Sequence, residues 1–161
     1  MHRWGKLTLD ARVFPAAALA MDRPNPRNAL GTALLSSATA CADISDGLAQ
    51  DLGHILERSG VDADVLWDAV PKHPALAALS QEQQVEAAMS GGDDYELVFT
   101  APADKRGLIE QASISALTPV TRIGRIVEKK PSGAPLAIRD ASGRPLFLPV
   151  QGFDHFAQSA D

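Results

Sequence analysis

Cysteine is nearly absent: Cys41 is the single one among 161 residues. No internal disulfide can form from it, no cysteine-based zinc centre can be built, and a reducing, cytoplasmic setting is expected. Basic runs are missing too, and 15 Lys+Arg against 20 Asp+Glu leave a formal net charge of -5. Neither nucleic acid nor an anionic membrane surface is therefore expected as a partner. No segment approaches the ~20 consecutive apolar residues of a membrane span. The apolar piece from Phe14 to Met21 is broken by Pro15 and has no cleavage pattern behind it, so no signal peptide is expected. The chain also lacks a Walker P-loop, Gly-x-Gly-x-x-Gly, His-Glu-x-x-His and Gly-x-Ser-x-Gly. Any nucleotide must be held by another design.

What is present allows one domain with a real core, since apolar residues make up 45% of the chain. The chemistry concentrates at Asp43-Ile44-Ser45-Asp46-Gly47-Leu48. Ala38 to Ile44 is small and apolar enough for a short buried strand, with Cys41 as one of its buried small residues. Leu48, Leu52, Ile55 and Leu56 then fall at i, i+4, i+7 and i+8, the stripe of an amphipathic helix that Ser59-Gly60 should stop. Ser45 is the expected N-cap, and the free N–H groups of the helix start favour an anion. Asp43 and Asp46 suit a hard cation such as Mg²⁺, which takes oxygen ligands and shares them with phosphate. Taken alone, the hexapeptide reads more readily as a plain helix cap, because short motifs match by chance.

Before this stretch, Arg23-Pro24-Asn25-Pro26-Arg27 reads as an extended connector, and Asn28 to Ala38 as a helix with Asn28 available as its cap. After it, Val61 to Trp67 alternates as a half-buried strand, and a solvated sheet face explains Asp62 and Asp64 better than a metal does. Asp68 to Met89 is helical with a break at Pro71 and Pro74, and Ser80 with Gln83 forms a capping box. Gly91-Gly92-Asp93-Asp94 is a turn that permits close approach to a ligand, followed by a strand carrying Tyr95, Leu97 and Phe99 on one face. Two adjacent carboxylates there repel unless a cation compensates, although an exposed acidic turn fits equally well. A surface helix from Asp104 to Ala112 should turn Leu108, Ile109 and Ala112 inward. The strand Val120 to Val127 is interrupted by Gly124, which suggests a bulge or close packing. Lys129 to Gly133 reads as a hairpin tip, and Leu136 to Asp140 with Leu146 to Val150 as a final hairpin. Gly152-Phe153-Asp154-His155-Phe156 is dense in aromatic and titratable groups for a tail, with His155 most simply a packing residue.

Three stretches in order, ADISDGL at 42 to 48, SGGDDYELVFT at 90 to 100 and GFDHF at 152 to 156, resemble the C-terminal domain of the thiamine-monophosphate kinases. That family belongs to the aminoimidazole ribonucleotide synthetase and selenophosphate synthetase superfamily. The likeness covers roughly residues 23 to 156, and three ordered motifs are far more specific than one. It implies an α/β (α+β) fold, the layered C-terminal domain of the aminoimidazole ribonucleotide synthetase type, with a small mixed sheet packed with helices. It also implies an ATP-dependent phosphotransferase that converts thiamine monophosphate to thiamine diphosphate with Mg²⁺. On the matching positions it implies Asp43 and Asp46 as Mg²⁺ ligands, Ser45 as an ATP phosphate contact, and Asp93 or Asp94 with Phe153 for the thiamine. An acidic turn and an aromatic face both attract a cationic thiazolium. Where the family usually has Glu, this chain has Asp93, a shorter arm with the same charge.

The resemblance further implies an N-terminal domain supplying most metal carboxylates and the contacts of a homodimer. Residues 1–27 are then expected to be a linker or the remnant of such a domain, 28–161 the C-terminal domain, and the chain alone weakly active or inactive. Two alternatives remain: another ATP-dependent enzyme of the superfamily, or a non-catalytic ligand-binding or interaction module.

Overall fold

A computed structural model describes residues 22–92 and 94–147. Helix α1 (Asn28–Leu34) leads to strand β1 (Ala40–Asp43), helix α2 (Leu48–Ser59) and strand β2 (Val61–Leu66). Short 3-10 turns at Trp67–Ala69 and Pro74–Ala78 precede helix α3 (Gln81–Ser90) and strand β3 (Leu97–Thr100). Helix α4 (Arg106–Ser115), then strands β4 (Gly124–Glu128), β5 (Leu136–Arg139) and β6 (Pro145–Leu146), complete the described chain. Among the described residues, no helix is long and apolar enough to cross a membrane.

The expected small mixed sheet divides in two. β1 and β3 form an antiparallel pair, while a four-stranded sheet runs β4-β2-β5-β6 and is mixed because β2 and β5 are parallel. The main core lies under α2, whose Leu48, Leu52, Ile55 and Leu56 are all buried, as their spacing predicts. They meet Val65 and Ile138 of the larger sheet, Val85 and Met89 of α3, and Val98 of β3. Each such side chain contributes on the order of 1.5–3 kcal/mol on burial, and this stripe outweighs the modest propensity of the helix itself. On the other face of the β1-β3 pair, Leu97 and Phe99 pack against a smaller cluster of Leu30, Leu34 and Ala112 from α1 and α4.

The Ser80–Gln83 capping box forms in both directions, and Gly60 ends α2 in the left-handed conformation. Other expectations need correction. Asn28 is the first residue of α1 rather than its cap, and Leu108 of α4 is exposed. Cys41 is exposed rather than buried. Alternation along β1 turns Ala40 and Ala42 to the main core and Cys41 and Asp43 to the opposite face.

Asp62 is buried, not part of a solvated face: its carboxylate accepts the Lys130 backbone N–H at 2.9 Å. That bond anchors the link after β4 across β2. Lys129 to Gly133 consequently is no hairpin tip, since β2 lies between β4 and β5. Asp64, half-buried, pairs with Arg125 on β4 at 3.1 Å. The last hairpin forms through Leu146, its turn held by Asp140, which accepts from the Ser142 and Arg144 amides. Phe147 is outside the strand, and the expected continuation to Val150 lies outside the described residues.

Candidate phosphate and metal site

β1 delivers Asp43 to its C-terminal end, where the ladder with β3 pairs it with Leu97. The pairing continues past both strands. Ile44 N–H donates to the Glu96 carbonyl at 2.8 Å, and Tyr95 N–H donates to the Ile44 carbonyl at 2.9 Å. The Asp94-Tyr95-Glu96 segment therefore runs beside the Asp43-Ile44-Ser45 segment. Tyr95 holds a φ of 53°, a left-handed conformation that costs a side-chain-bearing residue roughly 1–2 kcal/mol.

Two glycines close the gap between these loops. At Gly92, an added Cβ would stand 2.5 Å from the Ser45 carbonyl oxygen and 3.5 Å from the Asp46 Cα, so only a bare backbone fits. Gly47 has a φ of 117°, and a Cβ there would meet the Ser90 backbone at 3.0 Å. The end of α3 and the two-glycine turn thus rest directly on the Ser45-Asp46-Gly47 loop.

The start of α2 differs from the expected cap. Gly47, not Ser45, occupies the cap position, without a side-chain cap bond, because its backbone conformation lets the chain enter the helix two residues later. Asp51 in the first turn of α2 is buried instead, and its Oδ2 accepts the Ser45 N–H at 2.9 Å and the Asp46 N–H at 3.1 Å. Those two amides are committed to the protein, so a phosphate at this loop must use other donors. Sequence reasoning missed Asp51. Its signal was an acid in the first helical turn, the place where a carboxylate complements exposed N–H groups.

Asp43 is exposed and Asp46 and Ser45 are half-buried, with Asp46 Oδ2 accepting from Gln50 Nε2 at 3.5 Å. Asp94 is exposed on the adjoining segment. Asp93 and Phe153 lie outside the described residues, as does His155. Among the described residues no group of three or more His, Cys, Asp or Glu side chains could hold a metal ion. The carboxylates of Asp43, at the end of β1, and Asp46, in the loop after it, are the hard oxygen donors that suit a cation such as Mg²⁺, which commonly takes one or two protein carboxylates and completes its shell with water and phosphate.

The Cys41 thiol, exposed but partly desolvated on the same face of β1 as Asp43, has its pKa pushed up by that partial desolvation and then by the Asp43 charge. Arg27, also unforeseen, joins the entry to α1 to Glu96 through two hydrogen bonds. A cavity of about 400 Å³ opens at the far end of the β1-β3 ladder, lined by Thr39, Ala40, Thr100 and Ile126 among others, and holds none of the motif carboxylates.

The fold itself has known counterparts. Residues 10–135 match AIR synthase related protein, C-terminal domain, and the chain belongs to that family. Within it the chain is similar to the thiamine-monophosphate kinase of Haemophilus influenzae, at 42% identity over 139 residues, covering 85% of this chain and 42% of that protein. It is likewise similar to the crystal structure of thiamine-monophosphate kinase from Stenotrophomonas maltophilia K279a, with a TM-score of 0.72 and 38% identity over 89% of this chain and 45% of that one. AaThiL complexed with AMPPCP and TMP superposes with a TM-score of 0.68 at 27% identity, covering 95% of this chain and 45% of that one. The chain spans less than half the length of these relatives.

Proposed function

We propose that this chain forms the part of a thiamine-monophosphate kinase that gathers a magnesium-bound ATP phosphate and the thiamine substrate on adjoining loops. The reaction is transfer of the ATP γ-phosphoryl group to thiamine monophosphate, giving thiamine diphosphate, in the cytoplasm. The observation that supports this reading best is the seating of Gly92 on Ser45 and Asp46. It makes one surface of two motifs more than 40 residues apart in sequence.

In this reading Asp43 and Asp46 bind Mg²⁺ and the Ser45 hydroxyl donates to a phosphate oxygen. Bound Mg²⁺ supplies the neutralisation of phosphate charge on which phosphoryl transfer depends. Asp94, with Asp93 and Phe153, attracts the cationic thiazolium and orients the acceptor phosphate. Catalysis of this kind is mostly positioning and charge compensation, so groups that bind without further carboxylates are expected to turn over slowly.

Calorimetry on the purified chain tests the reading. AMPPCP should bind in the presence of Mg²⁺, and the double variant Asp43→Asn with Asp46→Asn should weaken it by about tenfold or more, as expected for losing charge-assisted contacts. Equal affinity with and without Mg²⁺, or in the double variant, refutes it. Thiamine monophosphate should also bind and should lose affinity in Asp94→Asn.

A further inference from the structure

We propose that Asp51 is a positioning residue for the loop that carries Ser45 and Asp46, an inference that rests on the function proposed above. Asp51 is only 6% exposed, and a single carboxylate oxygen receives two consecutive backbone N–H groups. Two amides converging on one buried oxygen fix two successive peptide units, and removing that acceptor leaves both donors unsatisfied. They bind the loop between β1 and α2 to the first turn of α2, a helix held rigidly by its buried apolar stripe. Among the described residues the ladder beside this loop ends at Ile44, and the Gly92 and Ser90 backbones press on the loop from outside. Asp51 therefore holds from within what Gly92 holds from without.

Two consequences follow for the ligand. With the Ser45 and Asp46 amides turned onto Asp51, the loop cannot act as a nest of N–H groups around a bare phosphate. The recognition falls to the Ser45 hydroxyl and the carboxylates of Asp43 and Asp46, groups that need a cation before they tolerate a polyphosphate.

Three variants of the full chain separate geometry from charge. Asp51→Ala removes both bonds. Asp51→Asn keeps an acceptor oxygen without the charge, and Asp51→Glu keeps the charge on a longer arm. Hydrogen exchange of the Ser45 and Asp46 amides, without ligand, should show protection in the native chain, loss of it in Asp51→Ala, and recovery in Asp51→Asn. Affinity for AMPPCP with Mg²⁺ should fall about tenfold in Asp51→Ala and Asp51→Glu, with Asp51→Asn recovering most of the loss.

Wild-type exchange rates at those amides equal to open loop rates overturn the proposal. So does an Asp51→Glu variant that binds like the native chain while Asp51→Asn does not, because charge and not position would then be the cause. Should Asp51→Ala fail to fold, the Asn and Glu pair decides. Should the native chain bind no AMPPCP, the proposed function falls, and the exchange data still judge Asp51.

Discussion

The guanidinium of Arg27 grips the carboxylate of Glu96 with two hydrogen bonds, Nε to Oε2 at 2.9 Å and Nη2 to Oε1 at 2.6 Å. The pair ties the connector before α1 to the residue that follows Asp94 and Tyr95, 69 positions later in the chain. Its side chains are 26% and 47% exposed, so water screens part of the attraction. We expect a double-mutant cycle with Arg27→Ala and Glu96→Ala, read by urea unfolding, to give a coupling of about 0.5–1 kcal/mol that shrinks in high salt. Arg27→Lys should recover little of it, because an ammonium cannot reproduce the fork. Zero coupling at low salt would show that the pair only decorates the surface.

The Gly92 contact makes a sharper demand. A methyl at this position collides with backbone on the facing loop, which has no flexible end to yield. Gly92→Ala should therefore lower stability by about 1–3 kcal/mol in thermal unfolding and also weaken AMPPCP binding. Gly53→Ala is the control: nothing stands within 4 Å of its added Cβ inside α2, and alanine there should stabilise by roughly 0.5–1 kcal/mol. Equal melting temperatures for the native chain and Gly92→Ala would mean the loops are not pressed together.

Cys41 offers a pH-dependent reading of the same surface. Desolvation first, and the neighbouring Asp43 charge second, disfavour the thiolate, so its pKa lies above the ordinary 9.0. The reactive form is the thiolate. The alkylation rate should accordingly stay low through neutral pH and reach half its plateau above 9.0. Asp43→Asn should shift that midpoint down only partly, because partial desolvation is the larger cause. A native midpoint below the ordinary value would contradict the geometry of β1.

Much of this was readable from local pattern. The stripe Leu48, Leu52, Ile55 and Leu56 declared an amphipathic helix, Gly60 its end, and Ser80 with Gln83 the start of another, because each signal acts within one or two turns. The motif residues Asp43, Ser45, Asp46 and Asp94 also stood out, and three ordered motifs identified the family. The N-cap assignment failed at Ser45 because the deciding conformation belongs to Gly47, and the capping carboxylate reaches back from Asp51. Burial of Asp62 was hidden as well, since its partner is a backbone amide at Lys130.

Residue order alone therefore settled the helices α2 and α3 and which side chains bring carboxylate and hydroxyl chemistry, since those follow from periodicity, caps and chemical identity. The strand expected from Val120, by contrast, begins only at Gly124, and the helical pattern from Asp68 forms only short 3-10 turns before Gln81. Tertiary structure decided the order β4-β2-β5-β6, the exposure of Cys41, the grip of Arg27 on Glu96 and the seating of Gly92 on Ser45. These are contacts between distant segments. Their energies depend on how surfaces fit once the chain has folded, and no local pattern encodes that fit.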